Sequence, residues 1–289
     1  MIPVGRPSGP EFGRGRLPIG VALHAIAVDF AWFRASALRL EAAGYAGVWC
    51  WDHFVSRGRR SDPVLECWTT LTALAASSER LTVGPFVMNV MNRHPAVVAR
   101  MAATLQEASA GRLILGMGIG GHAAEHEAYG IPFPAVGERV ARLEEAVGVI
   151  RALWTGGPVS REGRYYALRD AYAYPRPDPL PPIIVGGETT AGARLAARIG
   201  DGWTAFEETF ARDEPVYREA LAAAGRDRAA MTVLVGFQAG KGASLAASPW
   251  AADLRGTFEG WRARGADGAI LTAITDDDVD ALVAAADRW

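Results

Sequence analysis

The stretch GYAGVWCWDHF, residues 44–54, is apolar and aromatic over 47–51 and then stops at two titratable side chains, Asp52 and His53. An imidazole has a reference pKa of about 6.5, so it can give or take a proton near neutral pH. At a strand tip it is held on rigid backbone. Asp52 reads as its partner or as a backbone anchor. The plainer alternative is a capping aspartate beside an idle histidine. Two glycine-rich stretches, GIGGH at 118–122 and GGETT at 186–190, allow close backbone approach to a ligand and expose N–H groups. The second leads into a helical pattern, whose N-terminus favours a phosphate. The pair points to a phosphate-bearing cofactor. His24, Trp51, Phe206 and Glu207 also fall where apolar runs end, which makes them candidates to line a substrate pocket.

Other chemistries find less support. His122 and His126 are spaced i, i+4 with Glu125 between, but the order differs from HExxH and no third ligand is evident. No metal is expected. There is no G-x-S-x-G elbow, and neither Cys50 nor Cys67 has an evident base, so nucleophilic acyl chemistry is unsupported.

A scaffold must bring these scattered positions to one rim. After residue 18 the pattern alternates. Strands are predicted at 19–25, 47–51, 81–88, 113–117, 183–185, 203–206, 232–237 and 269–274. Helices are predicted at 29–43, 63–76, 95–111, 138–154, 190–199, 213–224, 251–264 and 277–289. Residues 158–170 alternate like a short hairpin, and 174–182 form a proline-rich connector. Such a series of strand–helix pairs with short connections suits one (β/α)8 barrel over 18–289, preceded by a loose tail over 1–17. A doubly wound open sheet is the second choice, but no G-x-G-x-x-G follows the first strand. In a barrel of this kind, chemistry gathers where strands end.

Composition narrows the setting. The 289 residues are 50% hydrophobic, enough for a sizeable core, and the net charge of −2 gives no sign of nucleic-acid or anionic-membrane binding. Two cysteines in apolar settings fit a reducing cytoplasm rather than a disulfide framework. No apolar run reaches membrane-spanning length.

The blocks GYAGVWCWDHF, RLTVG, RHPAVVARMAATLQEASAGRLILGMGIGG, YGIPFPAVGERVARLEEAVGVIRALWTGGPVSREGRYY and PPIIVGG…LAARIGDGW occur in that order. This order resembles the bacterial luciferase-like flavin oxidoreductases, in the branch that uses coenzyme F420, a deazaflavin. The resemblance implies a (β/α)8 barrel, usually a homodimer, with the ring across the strand C-termini. It implies that Asp52 and His53 lie beside the ring. Pro85, Phe86 and Val87 would back it, often through a non-prolyl cis peptide. Gly118, Ile119, Gly120 and Gly121 would run along the ring and tail, and Gly186, Gly187 and Thr189 would take the phosphate. Two positions depart from the family pattern. Gly121 stands where many members carry a bulky or acidic residue, and Thr209 stands where members that oxidise sugar phosphates place a lysine. The expected activity is hydride transfer between F420 and a small alcohol, carbonyl or activated double bond. The alternatives are an FMN-dependent monooxygenase and a cofactor-binding accessory protein without turnover.

Overall fold

The computed structural model describes residues 15–289. Residues 1–14 of the expected tail lie outside the described residues. Its last three residues are already anchored: Leu17 is buried and donates its N–H to Gly44 O at 2.9 Å, and Arg16 donates to Ala43 O and Ala286 O at 3.1 Å.

The strands are β1 (Ile19–Leu23), β2 (Gly47–Cys50), β3 (Thr82–Pro85), β4 (Met88–Asn89), β5 (Leu115–Gly118), β6 (Val159–Arg161), β7 (Leu168–Ala171), β8 (Ile183–Gly186), β9 (Gly202–Phe206), β10 (Thr232–Phe237) and β11 (Gly268–Ala273). β6 and β7 form the expected antiparallel hairpin. The others make one parallel sheet in the order β3-β2-β1-β11-β10-β9-β8-β5-β4. β3 and β4 are two halves of one stave, so these nine segments give eight staves. Between the halves lies a cis peptide, Phe86–Val87. The sheet closes where Val83 bridges to Leu113, just before β5, with Ile114 N–H donating to Val83 O at 3.0 Å. The expected (β/α)8 barrel is therefore present. Its strands are buried on both faces, which is why they read as apolar runs rather than as alternations.

The helices are α1 (Phe30–Ala43), α2 (Cys67–Ser77), α3 (Pro95–Ala108), α4 (Ala123–Ala128), α5 (Val136–Leu153), α6 (Thr190–Ile199), α7 (Glu207–Ala223), α8 (Pro249–Ala252), α9 (Leu254–Arg262) and α10 (Asp276–Ala286). Side-chain caps start many of them. Asp29 accepts from Trp32 N–H, and Thr189 accepts from Gly192 N–H. Thr275 and Asp278 form a reciprocal capping box. Three predicted helices change most. α2 starts at Cys67 rather than 63, because Glu66 is its cap and accepts from Trp68 and Thr69 N–H. α7 starts at Glu207 rather than 213 and runs through Pro215 in its interior, so that proline is not a start signal. The helix predicted over 251–264 is broken at Asp253, which caps α9. No helix among the described residues is long and apolar enough to cross a membrane.

The barrel interior is packed by Ala22, Ala46, Trp49, Ile114, Ile184, Leu234 and Ile270, with Phe86 against them. Trp49 sits within this layer at 1% exposure. A Cβ on Gly20 would stand 2.0 Å from the Trp49 ring, one on Gly47 2.8 Å, and one on Gly84 3.0 Å. Three neighbouring strands thus give up side chains to admit one indole. Trp49→Ala is expected to cost about 3–5 kcal/mol, the usual range for a large core truncation, read as a lower urea midpoint with an unchanged slope.

Candidate active site at the strand ends

Asp52 follows β2 and is buried. Its carboxylate takes both guanidinium nitrogens of Arg93 at 2.9 Å, the Asn89 backbone N–H at 3.0 Å and the Asn92 amide at 3.0 Å. Arg93 also donates to Glu66, the cap of α2. Burial works against the Arg93 charge, but Asp52 first and then Glu66 hold its pKa above the ordinary value. Asp52 is therefore engaged as an anchor, with its oxygens turned to the segment joining β4 to α3. It does not partner His53.

That partner is Glu125, in the first turn of α4. His53 Nδ1 lies 3.1 and 3.3 Å from its two oxygens, and the Phe54 N–H donates to Oε2 at 3.0 Å. Glu125 is 1% exposed. Burial pushes its carboxyl up, but the His53 ring, the Phe54 N–H and nearby His122 outweigh that and hold it below the usual carboxylate range. A row of rings continues from this dyad. His122 stands edge-on to His53 at 6.0 Å, Trp51 lies on the other side of His53 at 6.4 Å, and His24 packs against Trp51 at 5.4 Å. Burial lowers the His24 pKa, and His53 adds to that, against a backbone hydrogen bond at Ile26. His126, the other histidine of HAAEH, points elsewhere: it is buried, with Nε2 at 2.7 Å from the Asn89 amide.

Beside this row lies a shelf of bare backbone. A Cβ on Gly118 would stand 2.6 Å from Val87 Cγ2, and one on Gly186 3.0 Å from the same atom. Val87 thus lies between the ends of β5 and β8. Phe86 turns to Phe206 at 5.7 Å, with Pro85 closing β3 behind it. Beyond β5, the carbonyls of Ile119 and Gly120 accept from Arg139 at 2.9 and 2.6 Å, which fixes that loop. Gly120 has φ of 70°, a left-handed conformation suited to glycine. A Cβ on Gly121 would meet nothing within 4 Å, so the position faces open space.

The GGETT loop is more committed than its sequence suggests. Gly187 donates to Thr204 O at 3.0 Å and accepts from the Trp203 indole at 2.9 Å. Thr189 takes the Gly192 N–H. By position, Thr190 and Ala191 are the first-turn N–H groups of α6 with no intrahelical acceptor. Glu188, in the same loop, is exposed at its surface, and partial desolvation and then Glu208 raise its pKa. Glu207 accepts from the Trp250 indole at 2.7 Å. Burial raises its carboxyl, and Glu208 adds to this against the Trp250 bond. This contact turns Glu207 toward α8 rather than toward the His53 dyad.

Sequence reasoning thus missed Glu125 as the partner of His53, and Arg93, Asn89 and Asn92 as the holders of Asp52. The signal for the latter was the run Asn92–Arg93–His94, polar and charged just before a buried helix start.

A closed parallel barrel with its titratable dyad and glycine shelf at one end defines the class: a (β/α)8 protein whose chemistry gathers at the strand C-termini. Residues 17–248 match the luciferase-like monooxygenase family, and the chain belongs to that family. It is 37% identical over 182 residues to the F420-dependent glucose-6-phosphate dehydrogenase of Beutenbergia cavernae, covering 63% of this chain and 53% of that one. It is 34% identical over 225 residues to the F420-dependent hydroxymycolic acid dehydrogenase of Mycobacterium tuberculosis, covering 75% and 62%. The chain thus spans about half the length of the first of these curated relatives. Among solved structures, an F420-dependent secondary alcohol dehydrogenase in complex with an F420-acetone adduct matches with a TM-score of 0.71 and 27% identity, over 76% of this chain and 68% of that one. The F420-dependent tetrahydromethanopterin reductase of Methanopyrus kandleri shares the fold with a TM-score of 0.72 at 20% identity, over 93% of this chain and 96% of that one.

Arg93→Ala leaves the Asp52 charge buried without its cation. It is expected to destabilise the protein by about 3–5 kcal/mol, and adding Asp52→Asn should recover part of that loss in the same urea titration.

Proposed function

We propose that this chain is an F420-dependent oxidoreductase. It would move a hydride between the deazaflavin and a small alcohol, carbonyl or activated double bond, with His53 handling the matching proton. The observation that carries this reading is the buried Glu125 carboxylate fixed on His53 Nδ1 at the edge of the glycine shelf. The shelf fits a flat ring: Gly118 and Gly186 offer backbone with no side chain over Val87, and Gly121 faces open space. The N-terminus of α6, through Thr190 and Ala191, suits the cofactor's phosphate. When bound, the deazaflavin supplies the hydride acceptor or donor.

The protein's own task is the proton on the substrate oxygen. A carboxylate on Nδ1 fixes the tautomer in which Nδ1 carries hydrogen and the Nε2 lone pair is free. Nε2 then takes the proton from an alcohol as its C–H hydride leaves. In the reverse direction the imidazolium, stabilised by the Glu125 charge, returns a proton to the carbonyl oxygen. Trp51 offers an apolar wall beside this position, and Phe206, packed on Phe86, another at the strand ends. Membership in the family and the F420-dependent relatives support the cofactor assignment.

Fluorescence titrations at one salt concentration should give tighter binding of F420 than of FMN. The reverse order overturns the cofactor assignment and favours the monooxygenase reading.

His53→Ala should lower single-turnover hydride transfer by roughly 10²–10⁴-fold, the usual worth of general acid–base catalysis, while cofactor affinity changes far less. Glu125→Gln keeps an acceptor for Nδ1–H but removes its charge, so its effect should be smaller. Chemistry within a few-fold of wild type in His53→Ala would remove His53 from the reaction.

A further inference from the structure

We propose that His53, His122 and Glu125 form a binding site for one divalent transition-metal ion of the zinc class. The three residues come from two elements: His53 from the tip of β2, His122 and Glu125 from the start of α4. One donor atom from each lies within 4.8 Å of the other two. His53 Nδ1 is 3.1 Å from Glu125 Oε1, and His122 Nδ1 is 3.8 Å from Glu125 Oε2.

The second observation is the state of His122. Its Nδ1 is buried, aimed at the same carboxylate, and has no hydrogen-bond partner. A buried polar atom left unsatisfied costs about 1–3 kcal/mol, and a bound ion removes that cost. Two imidazoles therefore converge on one carboxylate, and only one of them is hydrogen-bonded to it.

The donor set selects the ion. Two imidazoles and one carboxylate make the three-ligand set of open zinc sites, with a fourth position left for water. Calcium and magnesium favour oxygen donors, and the single carboxylate here offers them little. Around a tetrahedral ion with bonds of about 2.0–2.2 Å, donor atoms stand about 3.3–3.6 Å apart. His53 Nδ1 stands 3.3 Å from Glu125 Oε2, at that spacing, and His122 Nδ1, at 3.8 Å from the same oxygen, must move closer by a turn of its side chain. Glu125 is held from behind by the Phe54 N–H, the kind of outer contact that orients a ligating carboxylate. A cavity of about 320 Å³ borders His122, which gives water a path to the fourth position. Arg57 and Arg60 also line it, but both are exposed and solvent screens their charge. An ion on His53 Nδ1 takes the place of the Glu125 hydrogen bond and puts the ring hydrogen on Nε2, so the ion-free form is the one that carries the proposed proton transfer and the metal-bound form blocks it. Sequence spacing hides the set because His53 is 72 residues from Glu125.

The test uses tag-free protein, stripped with a chelator and returned to chelator-free buffer. Cobalt is followed by visible absorption and zinc by calorimetry. One ion per chain is expected, with the strong visible bands of a four-coordinate cobalt site. His122→Ala and Glu125→Gln should each weaken zinc by at least about 100-fold, at or beyond the top of the range for losing an outer partner. His94→Ala, at an exposed histidine capping α3, should leave the affinity unchanged. Zinc-soaked wild-type crystals, which need no variant, should show one anomalous peak between the three side chains. Three outcomes overturn the site: no binding at one equivalent, unchanged affinity in His122→Ala, or an anomalous peak elsewhere. None of these readouts involves turnover, so failure here leaves the proposed reaction standing, and failure of that reaction leaves this site standing.

Discussion

A carboxylate without water must be met by fixed donors, and the rim of this barrel is arranged around that requirement at Asp52. Its oxygens gather the Arg93 fork, the Asn89 N–H and the Asn92 amide. Those donors come from the last half-stave of the interrupted strand and from the turn that starts α3. One buried anion therefore sets the tip of β2 against the far side of the cis link. His53 is the next residue, so its backbone position is inherited from that contact. Through Glu66, the same arginine also reaches the cap of α2. Moving any one of these pieces exposes a charge that has nowhere else to go.

Glu125 makes a second, lighter connection. It receives one backbone N–H and one imidazole from the residues just after Asp52, and so ties α4 to the strand tip. The two carboxylates have separate roles. Asp52 is saturated by a permanent cation and fixes structure. Glu125 faces two imidazoles, His53 and His122, and no permanent cation. Two adjacent titratable residues at a strand tip are thereby sent to different partners, 41 and 72 residues away in the chain.

The barrel was legible in the sequence because staves buried on both faces leave uninterrupted apolar runs, and because caps such as Asp29 and Thr189 mark helix starts. Boundaries were lost where one residue type serves two purposes. Glu66 caps α2 from the end of a long loop, and Pro215 lies inside α7 although proline more often marks a start. At the site, the histidine and the bare glycine strands were legible from local pattern. The partner of His53 was not, because the Asp52–His53 adjacency suggested a dyad, whereas Asp52 is taken up by Arg93 and His53 by Glu125. The pairing of Asp52 with Arg93 and of His53 with Glu125 depends on which loops the closed barrel brings together, and no local spacing encodes that.

Trp49 has a consequence for reach. With its indole wedged against three strands that carry no side chain there, and Phe86 layered on the same interior packing, the barrel is a plugged cylinder rather than a well. Under the proposed function, a guest would sit across the strand ends rather than deep inside the barrel, with its edge toward the loops. Discrimination between guests is then a matter of perimeter: loops can lengthen, shorten or exchange residues without disturbing the plug, and a changed plug would not admit a new guest. The stiffest part of the molecule and the part that can drift toward new ligands are thereby kept in separate layers.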